Sequence, residues 1–159
     1  MPDQRYKTLR HIETVRNYLN FVIVELLNRA EQHDQSKLQS PEKELFDEYT
    51  EKLRGITYGS DEYKASLRDM GEALKHHYAH NRHHPEHHKH GIKDMNLIDI
   101  IELICDWKAS SMRHNDGNIL KSIEKNQERF GYSEDLKIIL ENTAKLFDSK
   151  TVFNHAEES

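Results

Sequence analysis

Six glycines and three prolines in 159 residues leave this chain few places to turn sharply, and a β-sandwich or barrel needs many such places. With 32% of its residues charged, the chain is expected to fold as an all-α protein. Its length suits one compact domain, which at this size buries roughly two thirds of its unfolded surface. Lys plus Arg number 23 and Asp plus Glu 28, a net charge of −5. That balance argues against a nucleic-acid clamp, which would need a basic stripe. The lone Cys105 excludes a disulfide framework and suits a reducing compartment. The opening MPDQRYKTLR has no apolar signal region, and the apolar runs at 21–24, 100–101 and 103–105 are too short to span a bilayer. A cytoplasmic chain without membrane partners is expected, and a homo-oligomer remains open.

Hydrophobic periodicity divides the chain into about six helices. Val15, Leu19, Val22 and Leu26 give a first helix over about residues 4–30. Ser40-Pro41-Glu42 reads as an N-cap with proline at the first helical position, opening a helix to about Arg54 with Gly55 beyond it. Ser60-Asp61-Glu62 starts another, whose stripe runs Tyr63, Leu67, Met70, Leu74 and His77 toward Pro85. Residues 89–95 read as a loop around Gly91. Asn96 with Asp99 caps an apolar helix reaching about His114. Asp116-Gly117 turns the chain into a helix over about 118–130, which Gly131 closes. Ser133 opens the last helix, with Leu136, Ile139, Leu140, Thr143 and Leu146 expected on its inner face. The helical domain is taken as residues 1–148, followed by a mobile polar tail at 149–159.

Histidine is the unusual residue: twelve in all, eight of them between His76 and His90. The stripe of the third helix passes from Leu74 to His77, and at the same spacing to Asn81 and His84. A buried stripe that turns polar in this way lines a polar site. Asp99, Glu102, Asp106, Ser110 and Arg113 form one polar stripe on the next helix, of which Asp99 and Glu102 read as a solvated face. A third polar group, His33-Asp34, precedes Gln35-Ser36-Lys37. Neighbouring His and Asp can meet one metal only at a bend or a helix end. Imidazole plus carboxylate suits Zn, Fe, Mn, Ni or Co rather than Mg or Ca. Such an ion could polarise a phosphoryl oxygen and bring its water toward a pKa of ~7. Lys37 is then placed to meet a negatively charged substrate.

Blander readings stand beside this one. A histidine-rich stretch also fits a solvated, adventitious metal binder. For any one of His76, His80, His87, His88 and His90 a surface position is expected, and His114 and His155 read as incidental. His83-His84-Pro85-Glu86-His87-His88 offers i, i+4 histidine pairs, but Pro85 breaks the helix that a zincin site requires.

The ordered set His11, His33-Asp34 and Asp106 resembles the H…HD…D pattern of the HD-domain superfamily, and His33-Asp34-Gln-Ser-Lys37 is similar to its HD-x-G-K form, with Ser36 in place of glycine. His76-His77-Tyr-Ala-His-Asn81-Arg-His83-His84-Pro-Glu86-His87 looks like the signature of a small uncharacterised HD-like family of bacteria and phages. The likeness spans about residues 8–145. It implies an all-α fold with one or two divalent transition-metal ions. The implied activity is phosphohydrolysis of a small phosphorylated molecule, most naturally a nucleotide. It further implies His33, Asp34 and Asp106 as central ligands with His11 as the fourth, and His77 and His84 for a second ion. Glu86 or His83 would serve as acid or base, and Lys37 would contact the substrate phosphate. For His11 to reach His33, about 33 Å away along a straight helix, the chain must reverse between them. Only Asn17, Asn20 and Asn28 are turn-prone there. Two other functions remain: an HD-fold di-iron oxygenase, and a catalytically silent protein that sequesters a nucleotide or metal.

Overall fold

The computed structural model describes residues 4–53, 56, 60–113 and 117–149. These form seven α-helices and three short 3-10 turns, with no strand among the described residues. The all-α expectation holds. The chain divides into two compact units, residues 1–82 and 83–159, whose described buried residues differ in kind. Gly55, Asp116, His114, His155 and the tail at 150–159 lie outside the described residues, as does the side chain of Leu67.

The first unit begins with α1 (Gln4–Gln32), a single helix with no buried residue. The reversal expected near Asn17, Asn20 or Asn28 is absent. Without Gly or Pro nothing interrupts the i→i−4 ladder, and each Asn stays within the helix. The helix stops at Asp34, whose backbone is left-handed at φ 55 and ψ 13. Asp tolerates this conformation better than most residues because its short polar side chain can bond locally. A 3-10 turn, Gln35–Leu38, follows, and α2 (Glu42–Leu53) starts one residue after Pro41. The third predicted helix is two: α3 (Asp61–Asp69) and α4 (Gly71–His80), separated at Met70. The break changes little on the inner face, where Met70, Ala73, His77 and Asn81 are all buried. α4 ends well before Pro85. The Asn81 side-chain amide donates to the His77 carbonyl at 2.8 Å, and this local bond competes with continued helix. α2 packs on the Gln35–Leu38 turn, on α3 and on α4.

The second unit has a conventional apolar core. α5 (Leu97–Ser111) carries the expected capping box, in which Asn96 accepts from the Asp99 amide and Asp99 accepts from that of Asn96. Asn118 caps α6 (Ile119–Phe130), accepting from Leu120 at 2.8 Å and from Lys121 at 3.4 Å. Gly131 closes that helix at φ 64, a left-handed position that suits a residue without a Cβ. Ser133 accepts from the Leu136 amide ahead of α7 (Glu134–Ser149). Ile100, Leu103, Ile104, Ile119, Ile123, Tyr132, Leu140 and Ala144 form the core, with Trp107 and Phe147 packed against it. The buried face of α7 is rotated from the predicted one. Leu136, Leu140, Ala144 and Phe147 turn inward, while Ile139 and Leu146 are exposed. Small Ala144 allows α7 to approach closely, and that approach selects the face.

Candidate metal centre

The end of α1 supplies the bend that the His-Asp pair needs. The left-handed turn at Asp34 swings its carboxylate beside the preceding side chain, with His33 Nε2 3.6 Å from Asp34 Oδ2. From α4, His77 brings Nε2 to 3.4 Å from Asp34 Oδ1. Within the first unit the Asp34 carboxylate thus lies beside both His33 and His77.

Behind His77 lies a residue the sequence reading passed over. Glu42 opens α2 and is fully buried. It accepts from His77 Nδ1 at 2.9 Å, from His76 Nδ1 at 2.6 Å and from Ser36 Oγ at 2.9 Å. Asn81 completes the web by donating to Ser36 Oγ at 2.8 Å. An ionised carboxylate can only accept, so Glu42 favours the His77 tautomer with its hydrogen on Nδ1. The other ring nitrogen, facing Asp34, is then the one able to donate a lone pair. Carboxylates that fix histidine tautomers in this way are the usual support of metal-ligating imidazoles.

The charges are arranged consistently. Burial works against ionisation of Asp34, but Lys37 at 2.6 Å, helped by His33 and His77, outweighs it and holds the carboxyl below its ordinary range. Burial likewise opposes the charge on Glu42, and the bonds from His76, His77 and Ser36 overcome it. His77 is lowered as well, which for an imidazole favours the neutral form: burial first, then Lys37, lowers its pKa despite Asp34 and Glu42. A neutral imidazole between two carboxylates results, and neutral imidazole is the form that coordinates metal. The ring also meets Phe46 edge-on, with centroids 5.7 Å apart.

The ammonium of Lys37, the residue expected to meet the substrate phosphate, is bound to Asp34 and lies 5.4 Å from the centre of the Phe46 ring. His11 requires a correction. It is exposed on the unbroken α1, about 33 Å from His33 by helical rise, and cannot join His33 on one ion within a chain. His76 is half-buried against Glu42 rather than loose on the surface, and His80 stacks on it at 4.1 Å. The ligand atoms of Glu42, His76 and His80 lie within 4.8 Å of one another, a second group able to hold an ion.

In the second unit, His83 is completely buried, with Nδ1 3.0 Å from Glu102 Oε1. His84 stacks on it, with ring centroids 4.1 Å apart. Asp106 is half-buried on α5 and accepts from Ser110 at 3.5 Å. The Glu86 carboxylate lies at the surface, paired with Arg129 at 2.6 Å. The stripe expected to face solvent turns inward: Asp99 is fully buried and Glu102 nearly so. His88, expected at the surface, has a 7% exposed side chain, 4.0 Å from Asp99. His90 remains exposed, paired with Asp94. Desolvation, with Glu102 and Asp106 nearby, pushes the thiol of the exposed Cys105 up.

The signal for Glu42 was hidden by an ordinary one. An acid in the first turn of a helix normally complements the helix dipole, and nothing in the spacing from Asp34 suggested contact. Glu102 was hidden similarly, as one acid in an apparently solvated stripe.

Residues 2–146 match the model of a family described as "Family of unknown function (DUF5662)", and the chain belongs to that family. No curated protein and no solved structure matches it. No helix among the described residues is long and apolar enough to cross a membrane.

Proposed function

We propose that the protein is a metal-dependent phosphohydrolase whose centre is built around His33, Asp34 and His77. The observation that carries the metal is the Glu42–His77–Asp34 chain: a buried carboxylate fixes the tautomer of a neutral imidazole, which turns its coordinating nitrogen toward a second carboxylate. The donor set, imidazole with carboxylate, fits a divalent transition ion such as Fe, Mn, Zn, Ni or Co. Asp106 and His84 stay in the ligand set on the resemblance alone. Glu86 or His83 stays the acid–base residue on the resemblance alone, with His83 Nδ1 3.0 Å from Glu102 Oε1.

The ion, when bound, supplies Lewis acidity and an activated water at neutral pH. The chain's own residues do the rest. Glu42 orients His77, Asp34 contributes the negative charge, and Lys37 keeps that carboxyl ionised. The reaction class comes from the HD-like pattern, which supports attack on a small phosphate ester, a nucleotide being the natural first substrate.

Elemental analysis of protein purified without a histidine tag tests the centre, and phosphate release over a nucleotide panel tests the reaction. Wild-type protein is expected to hold close to one or two ions per chain, and Asp34→Asn and His77→Ala to hold none. Full occupancy in both variants would remove the metal reading. Metal without phosphate release, joined to oxygen uptake by the iron form, would replace hydrolase with oxygenase.

A further inference from the structure

The longest helix of the protein buries nothing. α1 runs 29 residues, and eleven of its large apolar side chains are each more than a third exposed. Helices stabilise mainly through packing of an apolar face, and an isolated one is marginal in water. Ile12, Val15, Leu19 and Val22 are 46%, 44%, 58% and 36% exposed. With Leu26 they follow a strict 3-4-3-4 spacing, the heptad pattern that fits another helix rather than a sheet or a ligand.

The charges say which helix and in which direction. The first half of α1 carries Arg5, Lys7, Arg10 and Arg16 against Glu13, and the second half carries Glu25 and Glu31 against Arg29. Parallel pairing of two copies would set basic halves side by side. Antiparallel pairing sets a basic half against an acidic one. We infer that α1 is a homodimerisation helix that pairs antiparallel with α1 of a second copy through the Ile12–Val15–Leu19–Val22–Leu26 stripe. The interface holds independently of the metal reading.

Antiparallel coiled coils place an a residue opposite a d residue. Leu19 then faces Val22 of the partner subunit, Val15 faces Leu26 of the partner subunit, and Ile12 packs against the aliphatic stem of Arg29 of the partner subunit. On the flank of this register Tyr18 comes level with Glu25 of the partner subunit. His11 comes level with Gln32 of the partner subunit, one residue from the partner's His33. The neighbourhood denied to His11 within one chain is thereby reached across the dimer.

Light scattering on the full chain across the micromolar range tests the interface. The expected mass is twice 18.9 kDa, falling by half for Leu19→Glu with helix content retained. Because Leu19→Glu could loosen α1 itself, cysteine pairing supplies the second measurement. In a Cys105→Ser background, His11→Cys protein is mixed with Gln32→Cys protein under mild oxidation. A disulfide between positions 11 and 32 supports the antiparallel register. A mass of one chain throughout, or disulfides only between two copies of position 11, overturns the proposal. The first outcome would mean that the same chain covers the stripe, and the second that the helices run parallel.

Discussion

The two units bury different things. Around α5, α6 and α7 the interior is Leu, Ile, Ala and Tyr, and the buried polar groups include helix-cap residues such as Asp99. Around α2 and α4 the fully buried side chains include Glu42 and His77, with Asn81 and Met70 close behind. Each large apolar side chain buried in the second unit contributes about 1.5–3 kcal/mol. The polar web of the first contributes much less per residue, since each hydrogen bond replaces one to water. Among the described residues the first unit surrounds a charged centre with buried polar side chains and leaves a long apolar helix exposed, so its stability should depend on what binds it.

The largest expected effect tests the apolar side of this contrast. Leu103→Ala, at a 1% exposed position, is expected to cost about 2–5 kcal/mol of unfolding free energy, read from the urea midpoint. A cost below about 1 kcal/mol, the scale of one hydrogen bond, would mean that the core is not close-packed. On the polar side, Glu42→Gln preserves shape but removes the charge that three donors share. It should cost about 1–3 kcal/mol and weaken metal binding roughly 10–100-fold, measured against a chelating dye. Hydrogen exchange of α5 should be untouched; a slowed or quickened α5 would show that the contrast between the units is false.

Acid should act on the same web. His77 has a lowered pKa in the folded protein, so below its ordinary value of 6.5 the unfolded chain takes up that proton more readily. Glu42 and Asp34 are also lowered, and their ordinary values are 4.5 and 3.8. In all three cases the folded state binds fewer protons, so stability falls as pH falls. The first loss belongs to His77 and the later ones to the carboxylates. The urea midpoint of metal-free protein is therefore expected to be lower at pH 5 than at pH 7, and a rise on acidification would contradict the assigned directions. The smallest effect concerns one cap in the second unit. Asn118→Ala removes the acceptor for Leu120 and Lys121 and should cost about 1 kcal/mol, visible as a modest drop in thermal midpoint.

Local chemistry made much of this fold legible. The caps at Asn96, Asn118 and Ser133 and the closing Gly131 each act within a few residues, and each appears where the sequence puts it. His77 was legible because a helical stripe runs through it. What stayed hidden depends on contacts distant in sequence. Which face of α7 turns inward is decided by the approach of another helix to Ala144, and periodicity alone favoured Ile139 and Leu146. Glu42 meets His77 across 35 positions, and no spacing rule connects them. His11 misled for the opposite reason. A pattern of residue types placed it beside His33, while the same stretch had every local reason to remain helix.

The left-handed backbone at Asp34 has a consequence for divergence among relatives of this chain. Asparagine and glycine both accept that conformation, so either could replace Asp34 with the turn intact and the carboxylate gone. Such a substitution would produce a well-folded relative with an impaired centre, indistinguishable by shape from a competent one. Conservation of the fold is therefore a poor guide to which members keep a cluster able to hold a metal ion. The identity of this one side chain, read together with Glu42 and His77, is the better marker.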